Sequence, residues 1–291
     1  MAGVPATAII DTNLVISARS VLFILLAVGA SCASVAQQPT PEAHRSANEA
    51  MAALQPTWSG PMIQSDSRLC QGVRLSLSNS YAPGFHTVSY GNGHGVSLLA
   101  LNRFQFDIDQ PSYITGNPFA TKDGFGDVVF QVKGRLASGN AEHGNYAITA
   151  ILAMDLPTGS NGNGALTTVY VPKLAAGKAF RRFNLQTVVN GVLPTGKIAA
   201  QGRVIEWNTT AQFHLADRWF LDLEENAAWN LLGPFNGQTQ NFLTPAAFYR
   251  LRHREWMGNG RVVMLGSGFQ EATTHFHPYN HNLIVETRVL F

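Results

Sequence analysis

The segment Thr274-His-Phe-His-Pro-Tyr-Asn-His-Asn282 gathers three imidazoles in a short stretch. In extended chain His275 and His277 project to one side, close enough to share a metal ion. No carboxylate is near in sequence beyond Glu271. A solvated or hydrogen-bonded histidine turn therefore competes with a metal site, and His275, His277 and His281 stand only as weak metal candidates. Enzyme signatures are missing: there is no GxSxG elbow, no HExxH and no CxxC. Gly91-Asn-Gly-His-Gly95 and Gly159-Ser-Asn-Gly-Asn-Gly164 are glycine-rich but lack the strand-to-helix setting of a phosphate loop. They read as turns, the first periplasmic. No residue is assigned a catalytic role, and no cofactor is implied.

The other chemistry-bearing residues are charges that fall on the polar phase of alternating runs. They are Arg74, Arg103, Asp107, Asp127, Lys133, Arg135, Asp155, Arg182, Glu206, Asp222, Glu224, Glu286 and Arg288. Either they pair across an interior and fill it, or some of them line a polar path. Pairing is the expectation for most, because a buried charge without a partner costs several kcal/mol. The mixed signs argue against a strongly ion-selective pore.

The elements that would carry these charges are strands. Of 291 residues, 45% are hydrophobic and only 13% charged, about half the charged share of an ordinary soluble domain. The net charge of +2 gives no sign of a nucleic-acid partner. Arg19, the apolar run Val21–Ala30 and the small residues Ser34 and Ala36 form a signal peptide over 1–36. Cleavage at Cys32 as a lipoprotein is the alternative. Residues 37–66, with Pro39, Pro41, Pro56 and Pro61, read as a periplasmic, partly disordered lead-in. Within it Ala47–Leu54 could form a short helix that plugs or caps a barrel built from the remaining chain.

From about Gln71 onward, runs of roughly ten residues alternate apolar and polar before a Gly/Asn/Pro/Ser cluster breaks them, the length of a tilted membrane crossing. Trp207, Thr209, Ala211, Phe213 and Leu215 oppose Glu206, Asn208, Thr210, Gln212 and His214. Leu283, Val285, Thr287 and Val289 lead to a terminal Phe291. Such an ending resembles the signal read by the outer-membrane assembly machinery, carried here by Leu283, Val285, Val289 and Phe291. Residues 67–291 therefore read as an all-β, transmembrane antiparallel up-and-down barrel of about twelve strands, with ten or fourteen left open by a weak strand at 85–90. A strand over 97–109 and a long periplasmic turn at 252–260 belong to the same reading. Leu156-Pro-Thr-Gly159 and Leu193-Pro-Thr-Gly196 read as a shared strand-exit turn. The expected place is the bacterial outer membrane, in contact with its lipid.

Lys122-Asp-Gly-Phe-Gly-Asp-Val-Val-Phe-Gln-Val-Lys-Gly-Arg-Leu136, followed by the Leu-Pro-Thr-Gly turn at 156–159, resembles outer-membrane proteins grouped with the phenol-degradation meta-pathway transporters. The histidine-containing 274–282 segment looks like the final outer loop of an uncharacterised branch of that family. The resemblance covers roughly Gln71 to Phe291. It implies a twelve-strand-like barrel and passage of small solutes, hydrophobic or aromatic ones among them, as a channel or transporter-like protein rather than an enzyme. An embedded enzyme acting on lipid or envelope substrates and a closed structural barrel are the alternatives.

Overall fold

A computed structural model describes residues 47–91, 95–251 and 262–291. The expected signal peptide and the periplasmic turn at 252–260 lie outside the described residues. Strand β1 (Gly72–Ala82) opens the wall. The second pass is split into β2 (Phe85–Tyr90) and β3 (Gly95–Ala100), the third into β4 (Phe104–Asp109) and β5 (Tyr113–Thr115), and the fourth into β6 (Gly124–Phe125) and β7 (Val128–Gly139). Unbroken passes follow: β8 (Tyr146–Leu156), β9 (Val169–Phe180), β10 (Phe183–Pro194), β11 (Arg203–Ala216), β12 (Trp219–Leu232), β13 (Thr239–Leu251), β14 (Val262–Ala272) and β15 (His281–Leu290). Each pass is antiparallel to its neighbours, and β15 returns to β1, from Gly72↔Leu290 to Tyr81↔His281. The result is a closed barrel of twelve passes.

Closure is what lipid demands. Hydrocarbon offers no partner for backbone N–H and C=O, so a sheet that spans it cannot leave an edge. Among the described residues no helix is long and apolar enough to cross a membrane, and the crossing is made by strands. On the outer surface Leu75, Leu98, Leu185, Leu221, Leu223 and Leu283 are exposed and form a lipid-facing belt. Phe180, Phe183 and Trp219 flank one rim, and Tyr170 and Trp229 the other, the aromatic girdles of a barrel at its two interfaces. The inward phase is different: Gln186, Gln212, Glu224 and Thr244 are buried. The two-residue turns at Arg181-Arg182 and Asp217-Arg218 mark the periplasmic end.

The strand expected over 97–109 is instead a hairpin. Leu101 (φ 52°) and Asn102 (φ 54°) both adopt left-handed backbone, and Arg103 N–H donates to the Ala100 carbonyl at 3.3 Å. This is the mirror-type two-residue turn that suits strand twist. A leucine in its first position hid it from the sequence. The Gly91–Gly95 turn is also corrected at its flanks. Gly91 N–H donates to Ser76 at 2.7 Å and Gly95 pairs with Asp109, so both ends belong to one descending pass; residues 92–94 lie outside the described residues. The two errors offset each other, and the expected strand number survives. Both Leu-Pro-Thr-Gly segments do sit where β8 and β10 end.

Residues 47–71, read from the sequence largely as periplasmic lead-in, are folded against the barrel interior. Helix α1 (Ala47–Ala52) is the short helix expected there. Its Asn48 amide donates to the Gln71 carbonyl (2.6 Å) and the Phe291 carbonyl (2.9 Å), tying the helix to the point where the barrel closes. Beyond it, residues 53–71 run into the lumen and back to β1. On the lipid side, Leu223 lies midway along the outward face of β12. Replacing it with arginine should cost about 2–4 kcal/mol in a bilayer, measured by reversible urea unfolding, with Leu223→Ala costing less.

Candidate functional site

A chain that enters a barrel lumen carries backbone groups with no ladder to join, so wall side chains must meet them. Here the wall is built to do so. Glu224 on β12, 0% exposed, accepts from three successive plug amides: Met62 through a very short bond, Ile63 at 3.0 Å and Gln64 at 3.3 Å. Arg288 on β15 donates to the carbonyls of Gly60 and Pro61 at 2.6 Å each. Arg74 on β1 donates to the Met62 carbonyl. Gln212 accepts from Ser59 N–H at 2.9 Å, Gln105 from Cys70 N–H at 2.7 Å, and Thr149 donates to the Ser67 carbonyl at 2.5 Å. One turn of plug backbone thus has its amides on a carboxylate and its carbonyls on guanidinium groups.

The charges that hold the plug also neutralise one another. Glu286 lies between Arg74, at 2.5 Å, and Arg288. Lys133 and Asp107 face each other at 3.7 Å, and Gln105 and Gln131 each donate to Asp107 at 2.6 Å. In the plug itself Asp66 pairs with Arg68 at 2.7 Å. Burial pushes the Asp66 carboxyl up, but the Arg68 guanidinium outweighs that and holds it below the usual carboxylate range.

Apolar packing completes the seat. Met62 of the plug sits among Phe220, Ala246, Phe248, Met264 and Ile284. Two wall glycines make the fit possible. A Cβ at Gly268 would lie 2.5 Å from the Met62 sulfur, and one at Gly177 would lie 2.8 Å from the Trp58 ring. The plug leaves a space at each end. Toward the outside, Ile63, Gln64 and Ser65 floor a cavity of about 270 Å³ walled by Asn190, Asn208, Asn226, Gln240 and Gln270. Toward the periplasm, a chamber of about 1150 Å³ lies beneath the plug.

The residues singled out from the sequence divide accordingly. Asp107, Lys133, Asp222, Glu224, Glu286 and Arg288 are buried on the inward face. Glu206 borders the outer cavity and accepts from Asn190 at 2.8 Å. Arg103 and Arg182 are corrections: both sit exposed in periplasmic turns, the first because of the unforeseen hairpin. Arg135 lies beside that hairpin, donating to the Asn102 carbonyl rather than lining the lumen. Asp127 braces an outer loop, accepting from Gly159 N–H at 2.6 Å and Ala165 N–H at 2.5 Å, with Asp155 beside it. Neither is a lumen-wall residue at mid-height. Leu283, Val285 and Val289 face outward on β15, and Phe291 N–H donates to Gln71 at 3.2 Å.

The three histidines do not converge, and among the described residues no cluster of His, Cys, Asp and Glu could hold a metal. Both ring nitrogens of His277 are engaged, Nδ1 with the Thr274 carbonyl (2.6 Å) and Nε2 with Asn280 (3.1 Å). His281 lies between Tyr81 and Phe269, 3.8 Å from Glu271. His275 is exposed. The loop's buried polar contact is Tyr279, donating to Gln270 at 2.7 Å. Burial pushes its phenol up to about 12, so it stays a neutral donor. The plug anchors themselves were missed as such, because charge on a strand's inward phase does not reveal that its partner is main chain from another segment.

The apolar belt, the closed strand order and the polar, plugged interior define an outer-membrane β-barrel protein, and its place is the bacterial outer membrane. Solved structures of the same kind are similar to it. An outer-membrane channel from Pseudomonas putida F1 matches with TM-score 0.54 at 12% identity, covering 80% of this chain and 100% of that one. The NanC porin (TM-score 0.48, 11% identity, 75% and 98% covered) and the KdgM porin (TM-score 0.44, 9% identity, 75% and 99% covered) are further likenesses. At such identities the likeness is one of fold. No family model and no curated protein matches the sequence.

Glu224→Ala should leave the Met62, Ile63 and Gln64 amides without their acceptor at about 1–3 kcal/mol for each buried group. The expected readout is faster protease cleavage within 55–70 while the barrel's strand spectrum is unchanged. Unchanged cleavage would mean the carboxylate does not hold the plug.

Proposed function

We propose that this chain is a non-enzymatic outer-membrane channel or transporter-like barrel whose own N-terminal segment narrows the lumen. The observation that carries the reading is the pair of cavities, about 270 Å³ outside and 1150 Å³ inside, separated only by the plug. A barrel filled wholly by its wall side chains would have neither. The plug is bonded through side chains rather than joined to the sheet. Its bonds can be exchanged for water without opening the wall. Small solutes are the class that such spaces admit. The resemblance of Lys122–Leu136 to the phenol-degradation group adds aromatic solutes as the first to try. The surrounding partners in this reading are outer-membrane lipid on the belt and the assembly machinery at the β15 ending.

A closed structural barrel is the second reading, favoured by the density of hydrogen bonds on residues 59–70. Planar-bilayer recording separates the two. The channel reading expects small, resolvable conductance steps from the full chain and steps several-fold larger from a variant lacking residues 47–66. Silence from both proteins, with insertion verified, would leave the structural barrel.

A further inference from the structure

The periplasmic chamber has a chemistry that plugging does not use. Five arginines border it, Arg68, Arg181, Arg182, Arg250 and Arg288, against two carboxylates, Asp66 and Glu142. Arg68 is matched by Asp66 and Arg288 by Glu286. Arg250, Arg181 and Arg182 have no ion pair among the described residues. Cross-strand register places Arg250, Met264 and Arg288 in one row over β13, β14 and β15, so the two guanidinium groups are separated by two strand spacings, about 10 Å at the backbone.

The same wall is apolar and flat. The Arg250 guanidinium lies over the Phe220 ring at 5.0 Å, and that ring stacks on His214 at 4.4 Å with 6° between planes. Leu69 and Met264 also face the chamber. Three buried N–H groups on residues lining it make no hydrogen bond to protein: Nε of Arg250, Nε of Arg288 and Nε1 of Trp58. Arg288 and Trp58 are 6% and 8% exposed. Buried donors without a partner are uncommon, and here they come together with uncompensated positive charge. The facing unmet groups are His214 Nε2 and the Asn184 amide oxygen, neither of them an anion.

We infer that this chamber is a binding site for a small organic anion with a flat apolar body. A carboxylate head would be taken between Arg250, Arg288 and Trp58, and the body laid on Phe220, Leu69 and Met264. Guanidinium groups are suited to carboxylates by their paired donors and weak hydration. The inference deepens the channel reading and rests on it for the anion's source, since a solute arriving past the plug enters this space.

The test is calorimetric titration of the full chain in non-ionic detergent with benzoate, its neutral counterpart benzyl alcohol, and inorganic phosphate. Benzoate should bind, benzyl alcohol should bind about tenfold more weakly or not at all, and phosphate should compete poorly. Arg250→Gln should weaken benzoate by about tenfold. Trp58→Phe, which keeps the ring and removes the N–H, should weaken it by a smaller factor and guards against misfolding of the first variant. Benzoate and benzyl alcohol binding alike, phosphate binding as well as benzoate, or both variants binding like the parent would each overturn the site. Bilayer conductance on the same preparation separates the two ideas. Conductance without benzoate binding removes the site and keeps the channel, whereas binding without conductance keeps the site and removes the channel.

Discussion

A strand wall in lipid solves its own hydrogen bonding by closing, but a segment threaded through its lumen cannot. That constraint organises the interior. The plug between Ser59 and Cys70 is irregular, so its amides and carbonyls are met individually, by Gln212, Glu224, Arg288, Thr149 and Gln105. Ionised partners are the strong choice for this task, since a charge-assisted bond is about twice as strong as a neutral one. They then need counter-charges of their own, and the Arg74–Glu286–Arg288 group supplies them. The buried charge of this barrel therefore follows from the presence of main chain in its lumen.

Much of the wall was legible because lipid and lumen impose opposite demands on successive residues. The alternation in β11, β12 and β15 is visible by eye and matches the burial found. What the alternation could not show was where a strand turns without the usual residues. Leu101-Asn102 forms a tight hairpin although only the asparagine is at home in left-handed backbone. Alternation runs through Val96–Ile108 undisturbed, because a two-residue turn preserves the inward and outward phase. Arg103 was misplaced for that reason alone, and the same blindness took the flanks of Gly91–Gly95 for a turn.

The candidate site was half legible. Asp107, Lys133, Asp222, Glu224, Glu286 and Arg288 were marked by their phase, and the structure turns all of them inward. Their partners were hidden, because residues 53–71 carry no periodicity and are punctuated by prolines. Glycine at 177 and 268 is the one trace of the plug in the wall sequence, and it reads only as weak strand until Trp58 and Met62 are seen against it. Asp127 and Asp155 illustrate the opposite error. They have the right phase but stand at the outer end, where Asp127 is spent on loop amides.

The plug also divides the lumen into unlike halves. Above it the walls are carboxamides, with Glu206 held by Asn190 and Lys173 donating to plug Ser65 at 3.0 Å. Below it guanidinium groups exceed carboxylates. A neutral, hydrogen-bonding antechamber selects weakly and releases easily, whereas a cationic chamber in a restricted dielectric holds anions more firmly. Such an order favours movement of an anion from the outer cavity toward the periplasm and gives a cation no comparable gain. The barrel can thus have direction without any moving part in its wall. The only element that must yield is the segment bonded to Glu224 and Arg288, and the charges that fix that segment in place are the ones that set the polarity of the path around it.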